Sequence, residues 1–258
     1  MTHKATDFDR FKSLHRKGRP LVLLNIWDAG SAKIVADAGA KAIATGSWAV
    51  AAASGYEDGE ALPLGFALHT VRRIVEAVDI PVSMDIESGY GRTPDQLAET
   101  VKQVVDIGVV GINLEDQIIG QNRLYSLPDQ ARRIEACRKA ADAAGVPMFI
   151  NARSDLFFQA DENAKTEALE QEILARAVAF QQAGADGLFA PGLLDETLIK
   201  ALCEAAPMPV NIMLMPHCPS LEALTKIGVS RISHGPGPYL SAMDGLASQA
   251  KLTYCAGA

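Results

Sequence analysis

Three acidic side chains stand where apolar runs of this chain end. Asp85 and Glu87 close the run PVSMDIE, and Glu115 closes the run VVGINLE. Residues two apart on a strand point to the same face, so Asp85 and Glu87 are expected to point together beside Glu115. Converging carboxylates raise one another's pKa unless a cation lies between them. Hard oxygen ligands suit Mg²⁺, with Mn²⁺ as a substitute. The open alternative is that these acids cap helices or pair with Arg153 and nearby lysines.

Arg153 closes another apolar run, PMFINAR. Its guanidinium is expected at the same end of the sheet, where it can hold a carboxylate or a phosphate through two hydrogen bonds. A structural ion pair with Glu115 or Asp116 is an equally open interpretation.

The segment TGSWAVAAASGYEDGEALPLG, residues 45–65, is rich in glycine, serine and alanine. Small residues let backbone N–H groups approach a ligand, as in an oxyanion hole. The segment is long enough to act as a lid, and a plain surface excursion is the alternative.

Further groups follow the last strand-like runs. His217, Cys218 and His234 can each exchange a proton, although a lone histidine or cysteine at a strand end is more often a packing or hydrogen-bonding residue. The sixth run ends in Ala190-Pro191 and is expected to contribute nothing to a site.

Two recurring signals mark the elements that position these residues. A glycine that can end a helix precedes some apolar runs, and a proline that can begin a strand opens others. The glycines are Gly39, Gly108, Gly184 and Gly228, and the prolines are Pro81, Pro147 and Pro209. With the run LVLLNIWD from Leu21, the chain offers eight strand-like runs.

Helical patterns lie between these runs. TPDQLAETVKQVVDIG is predicted to be a helix with Thr93 as N-cap and Pro94 in its first turn, and TEALEQEILARAVAFQQAG carries one apolar stripe. Eight strand–helix units indicate a (β/α)₈ TIM barrel, which places its active site at the carboxyl ends of the strands. A doubly wound open sheet is the alternative, but no G-x-G-x-x-G follows the first run.

The composition limits the classes of function. The chain has 258 residues, 48% of them hydrophobic, and a net charge of −7, which predicts one domain over residues 1–258. An acidic chain without a basic block is a poor nucleic-acid binder. We expect no signal peptide and no membrane span, because no apolar segment is long enough. The four cysteines form no C-x-x-C pair, which suggests reduced thiols and a cytoplasmic protein.

The order of several motifs resembles one protein family. LNIWDAGSAKIVADAGAKAIATGSW, YEDGE, MDIESGYG, INLEDQ and NARSD are similar to segments of the isocitrate lyase/phosphoenolpyruvate mutase superfamily, over roughly residues 20–240. The resemblance implies a (β/α)₈ barrel, dependence on Mg²⁺, and a small α-keto or α-hydroxy acid as substrate. It also implies cleavage or formation of a C–C or P–C bond next to a pyruvate unit. Members are typically dimers of dimers that swap the eighth helix, which implies a homo-oligomer, dimer or tetramer.

The resemblance also implies roles for the acidic residues. Asp85 matches the metal-binding acid of the family's D-x-D motif. Glu87 stands where the family usually has aspartate, and its longer side chain shifts the metal or holds it through water. Glu115 matches an acid that acts through water, and Asp58 matches the acid of a mobile loop.

The substrate-binding residues are implied in the same way. The pyruvyl oxygens would be held by hydroxyl and N–H groups of Thr45, Gly46, Ser47 and Trp48. Arg153 matches the arginine that grips a substrate carboxylate or phosphonyl group, and Asn211 lies near a residue that contacts substrate carboxylates in the lyases.

One stretch departs from the family. The isocitrate and methylisocitrate lyases carry K-[KR]-C-G-H after the fourth strand, which supplies a cysteine acid/base. This chain reads QIIGQNRLYSLPDQ there, without cysteine or histidine. The mutases have an Asp-Lys pair and an Asn-Ser pair, whereas here Gln117 follows Asp116 and no matching Asn-Ser pair is present.

The sequence therefore predicts a Mg²⁺-dependent carbon–carbon lyase that acts on a small α-oxocarboxylate, by C–C cleavage or decarboxylation through a pyruvate-type enolate. His234, or a water held by Asp58, is the expected proton donor. A phosphonopyruvate or phosphoenolpyruvate-type mutase or hydrolase is one alternative. A non-catalytic keto-acid-binding barrel is another, and a phosphosugar barrel is weakened by the absence of a phosphate loop.

Overall fold

The computed structural model describes residues 3–160 and 166–254. Eight strands appear at the eight predicted runs: β1 Leu21–Leu23, β2 Ile43–Ala44, β3 Val82–Asp85, β4 Gly111–Glu115, β5 Phe149–Arg153, β6 Gly187–Phe189, β7 Val210–Met213 and β8 Arg231–Ser233.

Helices lie between and around the strands. They are α1 His3–Ser13, α2 Ala29–Asp37, α3 Ser47–Ala53, α4 Leu64–Val75, α5 Pro94–Asp106, α6 Leu127–Ala143, α7 Leu156–Gln159, α8 Thr166–Gln182, α9 Glu196–Ala205, α10 Leu221–Lys226 and α11 Gly237–Tyr254.

The strands form one parallel sheet that closes on itself. Their order is β1-β8-β7-β6-β5-β4-β3-β2, and a parallel bridge between Ile26 and Thr45 joins the first and last strands of that order. The register sets Glu115 opposite Arg153 at the carboxyl ends of β4 and β5. The predicted (β/α)₈ barrel is confirmed.

Local signals set the helix that follows β3. The Thr93 hydroxyl accepts a hydrogen bond from the Gln96 N–H, the Gln96 side chain accepts one from the Thr93 N–H, and Pro94 lies in the first turn. The predicted N-cap is therefore confirmed, and it fixes where α5 begins.

Two apolar clusters hold the barrel. The larger lies mainly between the strands and the surrounding helices, and includes Val101, Ile134 and Phe180. The smaller closes the amino end of the barrel, where Phe11 of α1 packs against Phe149 of β5. This division leaves the carboxyl end of the barrel open for polar side chains.

The last helix is an exception to this packing. None of the residues of α11 is buried, and even its apolar side chains are exposed: Leu246 by 62% and Leu252 by 69%. Val22 of β1 and Leu24, the residue after this strand, are 39% and 42% exposed. An apolar helix and an apolar strand face are thus both left uncovered.

Within the described ranges, none of the helices combines the length and the apolar character needed to cross a bilayer.

Candidate active site

A cavity of about 260 Å³ opens at the carboxyl ends of the strands. It is lined by side chains and backbone from β1 to β8 and from the loops that follow them: Asn25, Gly46, Ser47, Trp48, Asp58, Asp85, Asn113, Arg153, Phe158, Phe189, Met213, Met215, Ser233, Gly235 and Pro236. Its size suits a small organic acid rather than a large cofactor.

Asp85 lies at the end of β3 with its carboxylate held on both sides. Oδ1 accepts the N–H of Glu87 at 3.0 Å, and Oδ2 accepts Nδ2 of Asn113 at 3.3 Å. The backbone N–H of Asp85 donates to Oγ1 of Thr45 at 3.0 Å, so the buried Thr45 supports Asp85 from below the cavity. Asp85 is thereby oriented before any ligand arrives.

Glu87 lies beyond the end of β3, so the strand alternation from which it was expected to point alongside Asp85 does not extend to it. β3 ends at Asp85, and Glu87 adopts a left-handed conformation with φ 51°. Its buried carboxylate accepts the N–H of Glu60 at 2.5 Å and the hydroxyl of Tyr90 at 3.2 Å. Burial raises the pKa of Glu87 to about 7, against the Glu60 N–H hydrogen bond, and nearby Asp58 adds to the rise. Glu87 therefore ties the loop that carries Asp58 to the end of β3.

Glu115 pairs with Arg153 and is not itself among the residues that line the cavity. Its Oε2 lies 3.0 Å from Nη1 of Arg153, and the side chain is buried. Burial raises the pKa of Glu115, an effect that the Arg153 charge opposes. Among the three acids predicted to bind metal, Asp85 alone lines the cavity. In the described parts of the chain, no group of three histidine, cysteine or acidic side chains is placed to hold one ion.

Arg153 is held by two carboxylates while it faces the cavity. Its Nε and Nη2 donate to Asp155 at 2.6 and 2.9 Å, and Nη1 pairs with Glu115. Burial opposes its charge, but Glu115 and Asp155 outweigh burial and raise the pKa of Arg153. Within the described residues, these contacts engage three of the five guanidinium N–H donors, which leaves two for a ligand. The ion-pair interpretation is thus correct for Glu115, whereas Asp116 pairs with Arg176 at 2.9 Å.

The segment after β2 is partly helical rather than a loop throughout. Gly46 is the N-cap of α3 and gives its first turn no side-chain cap, and Gly46, Ser47 and Trp48 all line the cavity. Trp48 lines the rim and packs edge-on against Tyr239. Asp58 also lines the cavity, and desolvation and the charge of Asp85 raise its pKa.

Asn211 belongs to a buried polar layer under the cavity rather than to its lining. Its Oδ1 accepts Nδ2 of Asn151 at 3.1 Å, and its Nδ2 lies 3.1 Å from Oγ of Ser233. Asn151 also donates to Oδ1 of Asn113 at 2.9 Å, which links the layer to Asp85. Asn211 thus supports the floor of the cavity, and its predicted contact with substrate would need the floor to open.

His234 lies outside the cavity, which argues against its predicted role in proton transfer. Its backbone N–H donates to Oδ1 of Asn25, and Nδ1 bonds the carbonyl of Leu23 at 3.0 Å. These two bonds turn the ring into an outer groove between α2 and α11. His217 and Cys218 do not line the cavity either.

The sequence interpretation missed the apolar part of the lining. Phe189 of β6 faces the cavity, so the expectation that this strand contributes nothing was wrong. Phe158, Met213, Met215 and Pro236 complete this apolar side. Asn113 was also missed, although an asparagine two residues before Glu115 on an otherwise apolar strand was a usable signal.

Known proteins resemble this chain in sequence and in fold. Residues 11–253 match the family model described as phosphoenolpyruvate phosphomutase. A structure from Burkholderia cenocepacia described as a "putative phosphonomutase" is 50% identical, covers 98% of this chain and 100% of that chain, and superposes with a TM-score of 0.94. An uncharacterized protein of Mycobacterium tuberculosis is 31% identical over 93% of this chain and 87% of its own length. The 2-methylisocitrate lyase of Escherichia coli is 30% identical over 78% of this chain and 67% of its own length.

Proposed function

Because this chain belongs to the phosphoenolpyruvate mutase/isocitrate lyase superfamily, we propose that it is a lyase of small α-oxocarboxylates. The superfamily comprises Mg²⁺-dependent lyases, mutases and hydrolases that act on small oxo acids, and most are carbon–carbon lyases. The proposed reaction is C–C cleavage or decarboxylation next to a pyruvate unit, through a pyruvate-type enolate.

One observation carries this proposal. Asp58, Asp85, Arg153 and the first turn of α3 meet in a single small cavity at the carboxyl end of the barrel. Acidic, cationic and backbone N–H groups together can bind a 2-oxo acid and stabilise charge that develops on its oxygens. The cysteine and histidine of the tricarboxylate lyases are absent from residues 117–130, which favours a smaller substrate.

The donor set fits a Mg²⁺ ion. Asp85 presents carboxylate oxygen to the cavity, and the pKa values of Asp58, Glu87 and Glu115 are all raised by burial together with neighbouring acids. Mg²⁺ is usually held by one or two carboxylates, with water and substrate oxygens completing the set, so a preformed cluster of three is not required. Asp85 would hold the ion directly, and Glu87 and Glu115 through water. When bound, Mg²⁺ supplies a Lewis acid that polarises the substrate carbonyl.

The chain's own residues supply the rest. The N–H groups at the start of α3 and the Ser47 hydroxyl bind the substrate carboxylate, and the two free donors of Arg153 hold the other end of the reacting unit. Asp58 lines the cavity, where desolvation raises its pKa, and it is the group that passes a proton, through a water, to the carbon that gains the electron pair.

The test is release of pyruvate from a panel of 2-oxo and 2-hydroxy acids, with Mg²⁺ and with EDTA. Metal-dependent pyruvate from one member supports the lyase. If no member of the panel gives pyruvate and oxalate still binds tightly in the presence of Mg²⁺, the lyase is replaced by a phosphonate enzyme or a non-catalytic binder.

A phosphonomutase is the second candidate, favoured by the 50% identity to the Burkholderia structure. Phosphorus NMR of phosphonopyruvate incubated with the protein and Mg²⁺ separates the two. Conversion of the phosphonate to a phosphate ester would support the mutase.

We further propose that the protein is a homo-oligomer in which α11 of a second copy covers the first barrel strand. A groove of about 890 Å³, lined by Leu24, Trp27, Ile34 and Val35 among others, lies over β1 and α2. In a barrel this position is normally filled by the last helix. An uncovered apolar helix and an uncovered apolar groove in the same chain favour an exchange between two copies.

Light scattering after gel filtration tests this proposal. Ile34→Glu is expected to give a folded monomer, because Ile34 is 72% exposed in the single chain. Lys33→Glu, next to it and outside the groove, is the matched control and is expected to remain oligomeric. A wild-type monomer at micromolar concentration would contradict the exchange.

A further inference from the structure

A cation is buried inside the barrel, below the floor of the cavity. Arg231 is the first residue of β8 and is 1% exposed. Its side chain crosses the barrel interior, where Nη2 donates to Oδ1 of Asn113 at 3.2 Å, on the opposite strand β4. Nε and Nη1 are also buried, and neither has a hydrogen-bond partner among the described residues. In that part of the chain, the charge of Arg231 thus meets an amide oxygen rather than a contacting carboxylate.

Asn113 connects Arg231 to Asp85. Oδ1 of Asn113 also accepts Nδ2 of Asn151 at 2.9 Å, so two donors hold this amide in one orientation. Nδ2 of Asn113 then faces Asp85 and donates to Oδ2 at 3.3 Å. One amide group therefore separates the guanidinium from a carboxylate that lines the cavity. Arg231 can act on the site at short range without entering it.

The charge of Arg231 lowers the stability of the fold. Burial lowers its pKa from 12.5 to about 10, although the charge of Asp85 opposes this shift. The unfolded chain holds this proton more tightly than the folded protein does, so the buried charge reduces the free energy of unfolding at every pH below about 10. An apolar side chain of similar volume would not carry this penalty. A charge that is kept against the stability of the fold indicates a role in the site.

The field of Arg231 acts in opposite directions on the two proposed ligands. Two acids and one arginine line the cavity, Asp58, Asp85 and Arg153, and two buried carboxylates already neutralise Arg153. This balance attracts the proposed Mg²⁺ ion, whereas Arg231 repels it from below. Once Mg²⁺ has added its two positive charges, Arg231 still attracts the anionic substrate. Because Arg231 is buried, salt and water screen this field less than that of a surface charge.

We propose that Arg231 is a positioning residue that makes the metal and the 2-oxo acid bind as a pair. It keeps Asn113 directed at Asp85, weakens binding of the metal alone, and strengthens binding of the acid to the metal-loaded protein. This proposal rests on the function proposed above and adds to it a residue that touches neither ligand.

Binding measurements on Arg231→Met test the proposal, because methionine removes the charge and keeps much of the buried volume. Electron paramagnetic resonance measures binding of Mn²⁺ alone, and calorimetry measures binding of oxalate with saturating Mg²⁺. The variant is expected to bind Mn²⁺ about tenfold tighter than wild type and oxalate about tenfold more weakly, because the lost charge repelled one ligand and attracted the other. Its free energy of unfolding in urea should stay the same or rise.

The two opposite shifts separate an electrostatic role from a structural one. A damaged site would bind both ligands more weakly in a less stable protein, and that result, or two unchanged dissociation constants, would overturn the proposal. Opposite shifts in a protein that releases no pyruvate from any acid would support the role of Arg231 and remove only the lyase. A wild type that binds neither Mn²⁺ nor oxalate would overturn the metal site and this proposal together.

Arg231→Gln provides a second neutral variant if methionine prevents folding. Its amide can still donate a hydrogen bond, so this variant loses the charge and retains a donor. It is expected to show the same two shifts. Wild-type dissociation constants in Arg231→Gln would contradict a role for the charge.

Arg133→Met is the matched control at another buried arginine. Arg133 is 2% exposed and donates to the backbone carbonyls of Ser88, Gly91 and Arg92. Its loss is expected to lower the free energy of unfolding, because those carbonyls lose their partner, without opposite shifts in the two dissociation constants. Opposite shifts in this control would show a general effect of removing a buried arginine and would overturn the specific role of Arg231.

Discussion

The two ends of the barrel differ in chemistry: the amino end is packed with rings, and the carboxyl end is crowded with charged side chains. At the amino end, α1 seals the strands with a ring cluster: Phe11 meets Phe149 edge-on at 5.5 Å, and His15 stacks on Phe149 at 4.2 Å. At the carboxyl end, Asp58, Asp85 and Glu115 crowd around one arginine. The amino end therefore contributes stability through packing, whereas the carboxyl end tolerates electrostatic conflict that a bound cation and substrate relieve. Stability and chemistry are separated along the barrel axis.

The largest effect on activity without loss of stability is expected from a change at Asp85. Asp85→Asn is expected to lower kcat/KM by on the order of 10³-fold, because it removes the carboxylate that is proposed to hold Mg²⁺ in the cavity. The melting temperature should stay the same or rise, because one of several repelling charges is gone. Pyruvate release and thermal unfolding are measured on the same samples.

Asp106→Asn, an exposed change on α5, serves as the control for Asp85→Asn and should alter neither quantity. Full activity in Asp85→Asn would show that the active site does not lie in this cavity.

A change at Phe11, at the amino end, is expected to have the converse effect, a loss of stability without a loss of activity. Phe11→Ala is expected to lower the free energy of unfolding by about 3–5 kcal/mol, because the fully buried ring leaves a cavity against Phe149. Urea denaturation measures this loss, and kcat/KM of the folded fraction should not change. Phe66→Ala, at a ring that is 60% exposed, should stay within about 0.5 kcal/mol of wild type. A large loss of kcat/KM in folded Phe11→Ala would show that the two ends are coupled.

Arg153→Lys sharpens the description of the carboxyl end. A lysine cannot pair with Glu115 and Asp155 together and still present two donors to the cavity. We expect kcat/KM to fall on the order of 10²-fold, mainly through KM, with the protein folded. Steady-state kinetics measure the split. A change confined to unfolding, with normal KM, would make Arg153 a structural residue only.

A pH experiment probes the amino end with a smaller effect. Burial, and then the charge of Arg231, lowers the pKa of His15 to about 3, while its Nδ1–H bonds the carbonyl of Phe11. The unfolded chain, with an ordinary histidine pKa near 6.5, binds more protons below that pH, so stability falls as the pH drops from about 6.5 toward 3.

The comparison is between wild type and His15→Gln in urea at pH 6.5 and pH 5. Between pH 6.5 and pH 5, the free energy of unfolding of the wild type should fall by about 1.5 kcal/mol more than that of the variant. Parallel losses in the two proteins would mean that His15 takes up its proton without leaving the cluster.

The barrel fold could be predicted from the sequence because local signals mark its strands and helices. Thr93 and Pro94 mark a helix start by their own chemistry, and each of the eight strands begins near a glycine or proline that the sequence displays. Such signals act over a few residues, so they survive in any tertiary setting.

The candidate site could be predicted from the sequence only in part, because contacts between residues distant in sequence decide where its side chains point. Glu87 is drawn to the N–H of Glu60, 27 residues earlier, and His234 is turned outward by Asn25 and Leu23 from the opposite end of the chain. Phe189 and Met213 look like ordinary barrel core in the sequence. Only the closed barrel shows that they face the cavity.

The most direct test of the central claim is a coupled assay for pyruvate, run on the best acid of the panel with Mg²⁺, with EDTA, and with Mg²⁺ restored. Wild type is expected to release pyruvate only when the metal is present, and Asp85→Asn to release almost none in any condition. Pyruvate release that survives EDTA, or that Asp85→Asn retains, would contradict a metal-dependent lyase site at the carboxyl end of this barrel.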